Sequence, residues 1–222
     1  MDQGEGTIIR NIKDLEKIAE AGDANAQLEV GTAYYYGRGV EKDHKKAAEW
    51  YTKAAEQGYA KAQYKLGSLY YTGDGVEQDN VKAAEWYAKA AEQDYKYAQY
   101  WLGRLYESGN GVDQNLDTAI ELYTKAAEQG YDKAQYTLGS CYYTGQCVDQ
   151  DYAKAVEWYT KAAEQDYMYA QYWLGRMYES GGFRRRKARS QRRSRTQGRT
   201  LCLPVYAFCG FLPSLQRGYL HC

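Results

Sequence analysis

Apolar and polar positions in this chain follow a helical spacing, and that spacing is itself repeated every 36 residues. In the stretch from Gly58 to Gln93, Tyr59, Ala62, Leu66, Leu69 and Tyr70 fall near i, i+3, i+7 and i+11, one face of a helix. Thr72-Gly73-Asp74-Gly75 ends that helix, because glycine takes up positive φ after a last turn without steric cost. Ala83, Trp86, Tyr87, Ala90 and Ala91 form the apolar stripe of a second helix, with Glu85, Lys89 and Glu92 on its outer side. Glu85 and Lys89 stand in the favourable i,i+4 order, worth roughly 0.2–0.5 kcal/mol. Gln93-Asp94 breaks this helix, as Gln57-Gly58 breaks its counterpart one unit earlier. Alternation of alanine with large rings lets small residues on one helix receive rings from the next.

The period holds without a slip. Gly31, Gly67, Gly103, Gly139 and Gly175 share one phase, and Gly37, Gly73, Gly109, Gly145 and Gly181 share another. Trp50, Trp86 and Trp158 share a third, with Leu122 filling the missing turn. The glycine inside each first helix costs up to about 1 kcal/mol against alanine, so its recurrence predicts close backbone approach by a neighbouring helix. A fixed period of this size predicts stacked units, none of which can bury its apolar face alone. The expected fold is all-α: a right-handed α-solenoid of helix-turn-helix repeats with a disordered or poorly ordered C-terminal tail. The solenoid covers residues 10–182: a half-unit at 10–22, units at 24–57, 60–93, 96–129 and 132–165, and a half-unit at 168–182. Ile12, Leu15, Ile18 and Ala19 in the first half-unit predict an N-terminal cap. A longer period is superimposed, since Ala84–Gly109 and Val156–Gly181 match at 22 of 26 positions, so the surface should alternate over two-unit modules.

Leu66-Gly67-x-x-Tyr70 followed by Ala83-x-x-x-Tyr87 and Ala90 resembles the tetratricopeptide pattern. The period is 36 rather than 34, and the extra residues fall in the loop Gly73-x-Gly75-Val76-x-x-Asp79. With Ala-Glu-Trp-Tyr-x-Lys-Ala-Ala-Glu-Gln, the pattern resembles the Sel-1-like repeat over about residues 10–182. The resemblance implies a protein-binding adaptor or scaffold that is not an enzyme, with partners on the concave surface lined by each first helix. The positions carried over are Lys61, Tyr64, Ser68 and Tyr71, then Tyr97, Tyr100, Arg104 and Glu107. Lys133, Tyr136, Ser140 and Tyr143 repeat the first set, and Tyr169, Tyr172, Arg176 and Glu179 the second. Tyrosine and arginine are the residue types that anchor interfaces, which suits a groove for an extended or helical peptide. A second reading has these rings only packing against adjacent helices.

Catalytic and ligand chemistry finds little support. Only His44 and His221 are present, too few for a histidine-based triad or zinc site built from the repeats. Some bacterial relatives have been linked to β-lactam binding, but the S-x-x-K, S-D-N and K-T-G set of penicillin-recognising enzymes is missing, which disfavours a hydrolase of that type. Gly37-Arg38-Gly39 and Gly109-Asn110-Gly111 lack the preceding strand of a phosphate loop and read as helix stops and connectors. Asp74, Glu77 and Asp79 lack calcium-loop spacing and read as a solvated acidic loop. No cofactor or metal is expected.

The five cysteines are irregularly spaced. Cys141 stands where other units have Leu69, Leu105 and Met177, and reads as a small core residue; Cys147 replaces a loop glycine. The cysteine-rich relatives staple each repeat with a disulfide, which this set cannot do, and a disulfide framework is not expected. The N-terminus lacks an apolar signal core and no apolar run reaches the ~18–20 residues of a membrane span, so a reducing cytoplasmic setting is expected.

Net charge is zero, but ten of the 29 basic and none of the 29 acidic residues fall from Ser180 onward. That segment therefore carries +10 against −10 for the rest, and residues 183–222 form a basic, then apolar, tail. If the tail is genuine, Phe183–Arg195 could act in nuclear targeting or nucleic-acid binding, making the chain a regulatory repeat protein. Alternatively it is non-native: Ser194 and Arg195 stand where Trp-Tyr should recur, as an out-of-frame junction would leave them. Either way the last half-unit lacks its second helix; Leu201–Pro213 either folds back as a makeshift cap or, the favoured reading, is loosely ordered, leaving an exposed end that invites self-association.

Overall fold

The computed structural model describes residues 12–179, and among these it contains ten α-helices and no strand. They are α1 (Ile12–Glu20), α2 (Ala24–Tyr36), α3 (His44–Glu56), α4 (Ala60–Thr72), α5 (Asn80–Ala91), α6 (Lys96–Ser108), α7 (Leu116–Glu128), α8 (Asp132–Thr144), α9 (Tyr152–Ala163) and α10 (Met168–Glu179). By internal contacts the chain divides after Met177, and the packing below concerns the part up to that residue. Consecutive helices from α1 to α9 pack on one another, which makes this part an α-solenoid. The tail, residues 183–222, lies outside the described residues.

Each unit is closed by capping chemistry. The first helix ends at a glycine in the left-handed region, such as Gly73 at φ 79°, whose N–H donates to the Leu69 carbonyl. The second helix starts at an acidic or amide N-cap. Asp43, Asp79, Asn115 and Asp151 each accept from a backbone N–H two or three residues on, such as Asn115 Oδ1 from Thr118 at 3.0 Å. Asp79 is thus a cap, and Asp74 accepts from the Tyr35 hydroxyl at 3.1 Å, which accounts for two of the three loop carboxylates.

The recurring mid-helix glycine has a specific partner. A Cβ on Gly67 would lie 2.8 Å from a ring carbon of Tyr87, and one on Gly31, Gly103 or Gly139 would lie 2.6–2.8 Å from Tyr51, Tyr123 or Tyr159. Those four tyrosines are at most 1% exposed and are the largest side chains fully removed from water. The close approach is therefore made by a ring of the second helix over the bare backbone of the first. Alanines at 0–4% exposure fill the remaining space, as at Ala47, Ala48 and Ala54.

Units are joined by buried glutamines. Gln27 Nε2 donates to the Ala19 carbonyl at 3.0 Å, and its Oε1 accepts from Gln57 Nε2 at 2.8 Å. The same relay runs through Gln63 and Gln93, and through Gln135 and Gln165. It satisfies carbonyls orphaned at helix ends, where an unpaired buried group would cost about 1–3 kcal/mol. In the alternate unit Gln99 donates instead to Asp94 Oδ1, and Asp94 and Asp166 take the positive φ that Gly58 and Gly130 take elsewhere. This is the two-unit alternation expressed in backbone.

α1 packs on α2 through Leu15 and Ala19, whereas Ile18 remains 39% exposed. On the outer helix faces the Glu85–Lys89 pair is replaced by a different contact. The Lys89 ammonium lies 3.9 Å from the Trp86 ring centre, as Lys53 does over Trp50 and Lys161 over Trp158. Only in α9 does the corresponding lysine also reach its glutamate, Glu157, at 2.9 Å.

Candidate partner-binding surface

The first helices α4, α6, α8 and α10 carry the sixteen side chains named above, and their environments differ with the unit. Lys61 and Lys133 are exposed. Tyr64 and Tyr136 are half-buried within ring clusters: Tyr64 lies 5.4 Å from Tyr95 and 5.8 Å from Tyr87, and Tyr136 lies 5.2 Å from Tyr167 and 5.7 Å from Tyr159. Tyr71 packs on Trp101 and Tyr143 on Trp173, each pair bridging two first helices. Tyr97 is 36% exposed and meets Tyr131 edge-on at 5.0 Å. These rings both pack against adjacent helices and keep part of their surface in solvent.

Tyr100 and Tyr172 share a phase but not an environment. Tyr100 is 7% exposed under Trp101, Tyr123 and Tyr131, whereas Tyr172 is 55% exposed. In each case the arginine one turn on donates to the phenol, Arg104 Nη1 to Tyr100 at 3.4 Å and Arg176 Nη1 to Tyr172 at 3.1 Å. Tyr169, Arg176 and Glu179 are exposed.

The second-helix tyrosine under each unit also needs a hydroxyl partner. The Tyr51 hydroxyl meets Thr32 Oγ1 at 3.2 Å, and those of Tyr87 and Tyr159 lie beside Ser68 and Ser140. In the alternate unit Arg104 occupies the serine position, and Tyr123 donates instead to Glu107 Oε2 at 2.7 Å. Glu107 also faces Arg104 Nε at 3.4 Å and accepts from Cys147 Sγ at 3.9 Å. Burial, reinforced by the hydrogen bond to Glu107 and by that residue's charge, pushes the Tyr123 phenol well above its ordinary range, so it remains a neutral donor.

These groups border a cleft of about 200 Å³ between α6 and α8. Four of the expected residues, Arg104, Glu107, Tyr136 and Ser140, line it together. Thr137, Thr144 and Cys147 also line it and were not expected; their signal was position, one turn from Tyr136 or Ser140, or one loop beyond. The cleft offers one cation, one carboxylate and several hydroxyls, a lining suited to polar recognition of a chain. Among the described residues no group of three or more His, Cys, Asp or Glu is placed to hold a metal ion. Among them, no helix is long and apolar enough to cross a membrane.

The Sel1 repeat pattern matches residues 24–59, 60–95, 96–131, 132–167 and 169–189. The chain belongs to the Sel1 repeat family. Its structure is similar to the crystal structure of c5321, a protective antigen present in uropathogenic Escherichia coli strains, with a TM-score of 0.75 and 44% identity over 77% of this chain and 37% of that one. Over 41 residues it is 49% identical to HRD3A of Arabidopsis thaliana, a component of an ERAD-associated E3 ubiquitin-protein ligase, covering 18% of this chain and 6% of that protein. Over 44 residues it is 43% identical to EsiB of Escherichia coli, a secretory immunoglobulin A-binding protein, covering 20% of this chain and 9% of that protein. The chain thus spans less than a tenth of the length of either curated relative. Sel1 repeat proteins generally serve as protein–protein interaction scaffolds.

Proposed function

We propose that this Sel1 repeat chain is an adaptor that holds a protein or peptide partner along the concave face formed by its first helices. The observation that carries the reading is the α6–α8 cleft. There Arg104, Glu107, Tyr136 and Ser140 converge from two units, and elsewhere on the first helices Tyr64 and Tyr97 keep part of their rings in solvent. A groove of this make-up recognises chain by charge-assisted hydrogen bonds and aromatic anchors and needs no nucleophile. EsiB, by its name, binds a protein ligand. The setting that fits best is cytoplasmic.

The test is selection of peptides from a display library on the full chain, followed by calorimetry of the binders. Arg104→Ala and Tyr97→Ser should each weaken binding about tenfold or more, the loss of a hot-spot contact, while the native helical circular dichroism spectrum is retained at the assay temperature. Tyr100→Ser is a poor choice because that ring is buried. Binders indifferent to both substitutions would defeat the proposal.

A further inference from the structure

The α8–α9 connection differs from its counterparts at two positions that meet in space. In the earlier units the loop carries Gly39, Gly75 and Gly111, all with φ between 73° and 76°. Two of these are pressed onto the preceding unit: a Cβ on Gly75 would lie 2.3 Å from the His44 carbonyl oxygen, and one on Gly111 would lie 2.3 Å from that of Asn80. Cys147 stands in this phase and is not among the positive-φ residues, so the loop takes another course to make room for its side chain. The second difference is Cys141 on the last turn of α8, in the phase of Leu69 and Leu105 and 4% exposed.

Both thiols are free and both line the same α6–α8 cleft, which brings the two side chains together. Cys147 is half-buried and reachable from the cleft, whereas Cys141 lies behind it. This is the arrangement of an attacking and a resolving thiol. We propose that Cys141 and Cys147 form a reversible disulfide, made by exchange with a low-molecular-weight disulfide such as oxidised glutathione, that clips the α8–α9 loop to the end of α8.

The exchange has two steps. The Cys147 thiolate attacks one sulfur of oxidised glutathione, forming a Cys147–glutathione mixed disulfide and releasing one glutathione thiolate. The Cys141 thiolate then attacks the Cys147 sulfur, closing the protein disulfide and releasing the second. The two cysteine sulfurs are oxidised, oxidised glutathione is reduced to two glutathione molecules, and the two thiol protons pass to them. Burial holds both cysteines above the ordinary thiol range and the nearby Glu107 adds to this, so the first step should quicken as pH rises. Closure withdraws the Cys147 Sγ–H donor from Glu107.

The test needs no variant to begin with, because trypsin leaves Cys141 and Cys147 together in one peptide, Ala134–Lys154, apart from Cys202, Cys209 and Cys222. The native full chain is equilibrated with oxidised and reduced glutathione, alkylated, digested without reductant and weighed. The expected peptide is unalkylated, lighter than the dithiol by two hydrogens, and restored by dithiothreitol. Cys141→Ser should trap one glutathione on Cys147. A wild-type peptide that stays doubly alkylated, or carries glutathione with no closed form, overturns the proposal.

Discussion

The Tyr87 ring closes over Gly67 so tightly that a methyl group on the glycine would sit 2.8 Å from a ring carbon. The contact joins the two helices of a unit at its centre, and it recurs at Gly31, Gly103 and Gly139. At Gly175, in the same phase on α10, no described atom lies within 4 Å of the Cβ position. One substitution should therefore have opposite effects at equivalent positions. Gly67→Ala overpacks a dry interface and should destabilise by about 1–3 kcal/mol. Gly175→Ala gains helix propensity and should stabilise by up to about 1 kcal/mol. Chemical denaturation of both variants checks the pair, and equal losses would show that the ring contact is not what requires glycine.

The Tyr123–Glu107 hydrogen bond has a charged acceptor, whereas Tyr51 is paired with the neutral Thr32 hydroxyl at 3.2 Å. Removing the Tyr123 phenol oxygen leaves a partly buried carboxylate with one partner fewer. Tyr123→Phe should cost about 1.5–3 kcal/mol and Tyr51→Phe about 0.5–1.5 kcal/mol. Urea midpoints of the two variants decide the order.

Buried phenols make the fold sensitive to alkali. Burial pushes Tyr51 up to about 12 from an ordinary 10.0. The folded state thus holds the phenolic proton more tightly than the unfolded chain does. Its contribution is complete below pH 10 and lost as pH rises from 10 to 12, and those two units correspond to about 3 kcal/mol. Because other tyrosines are exposed, only the last part of the tyrosinate absorbance rise belongs to the buried phenols, and that part should coincide with loss of far-ultraviolet circular dichroism. Complete ionisation of the tyrosines with helicity intact would contradict the burial argument.

Asn115 caps α7 without carrying a charge, so its contribution should be independent of pH. Asn115→Ala should lower stability by about 1 kcal/mol, equally at neutral and mildly acidic pH, in thermal unfolding.

The helices were legible because glycine, tryptophan and apolar spacing recur in phase, and a signal repeated in five units is hard to misread. What touches the glycine was less legible. The spacing called for close backbone approach, and the Ala83 carbonyl does lie 3.2 Å from the Cβ position of Gly67, but that a tyrosine ring comes nearer still depends on how the second helix is rotated in the fold. Lys89 shows a local rule overtaken by a neighbour, since the Trp86 face is available three residues back. Tyr100 and Tyr172 have the same flanking sequence and differ in burial because Tyr131 covers the first; adjacency of this kind is a property of the stack. The N-caps had a signal that went unread, an Asp or Asn every 36 residues just before the second helix. The expected groove residues were found by phase alone, which brought Arg104 and Glu107 together with Tyr136 and Ser140 but did not reveal Thr137, Thr144 or Cys147 beside them.

The central claim is that partners bind along the first helices. It is tested most directly by site-specific photocrosslinking in cells that express the chain. A photoreactive residue is placed at Lys61, Tyr97 or Lys133 on the first helices, and at Glu85, Glu121 or Glu157 on the outer faces of the second helices; all six positions are exposed. The account predicts one shared protein captured from the first three positions and lost when Arg104 is changed to alanine. Capture of the same protein from the second set, with none from the first, would contradict it.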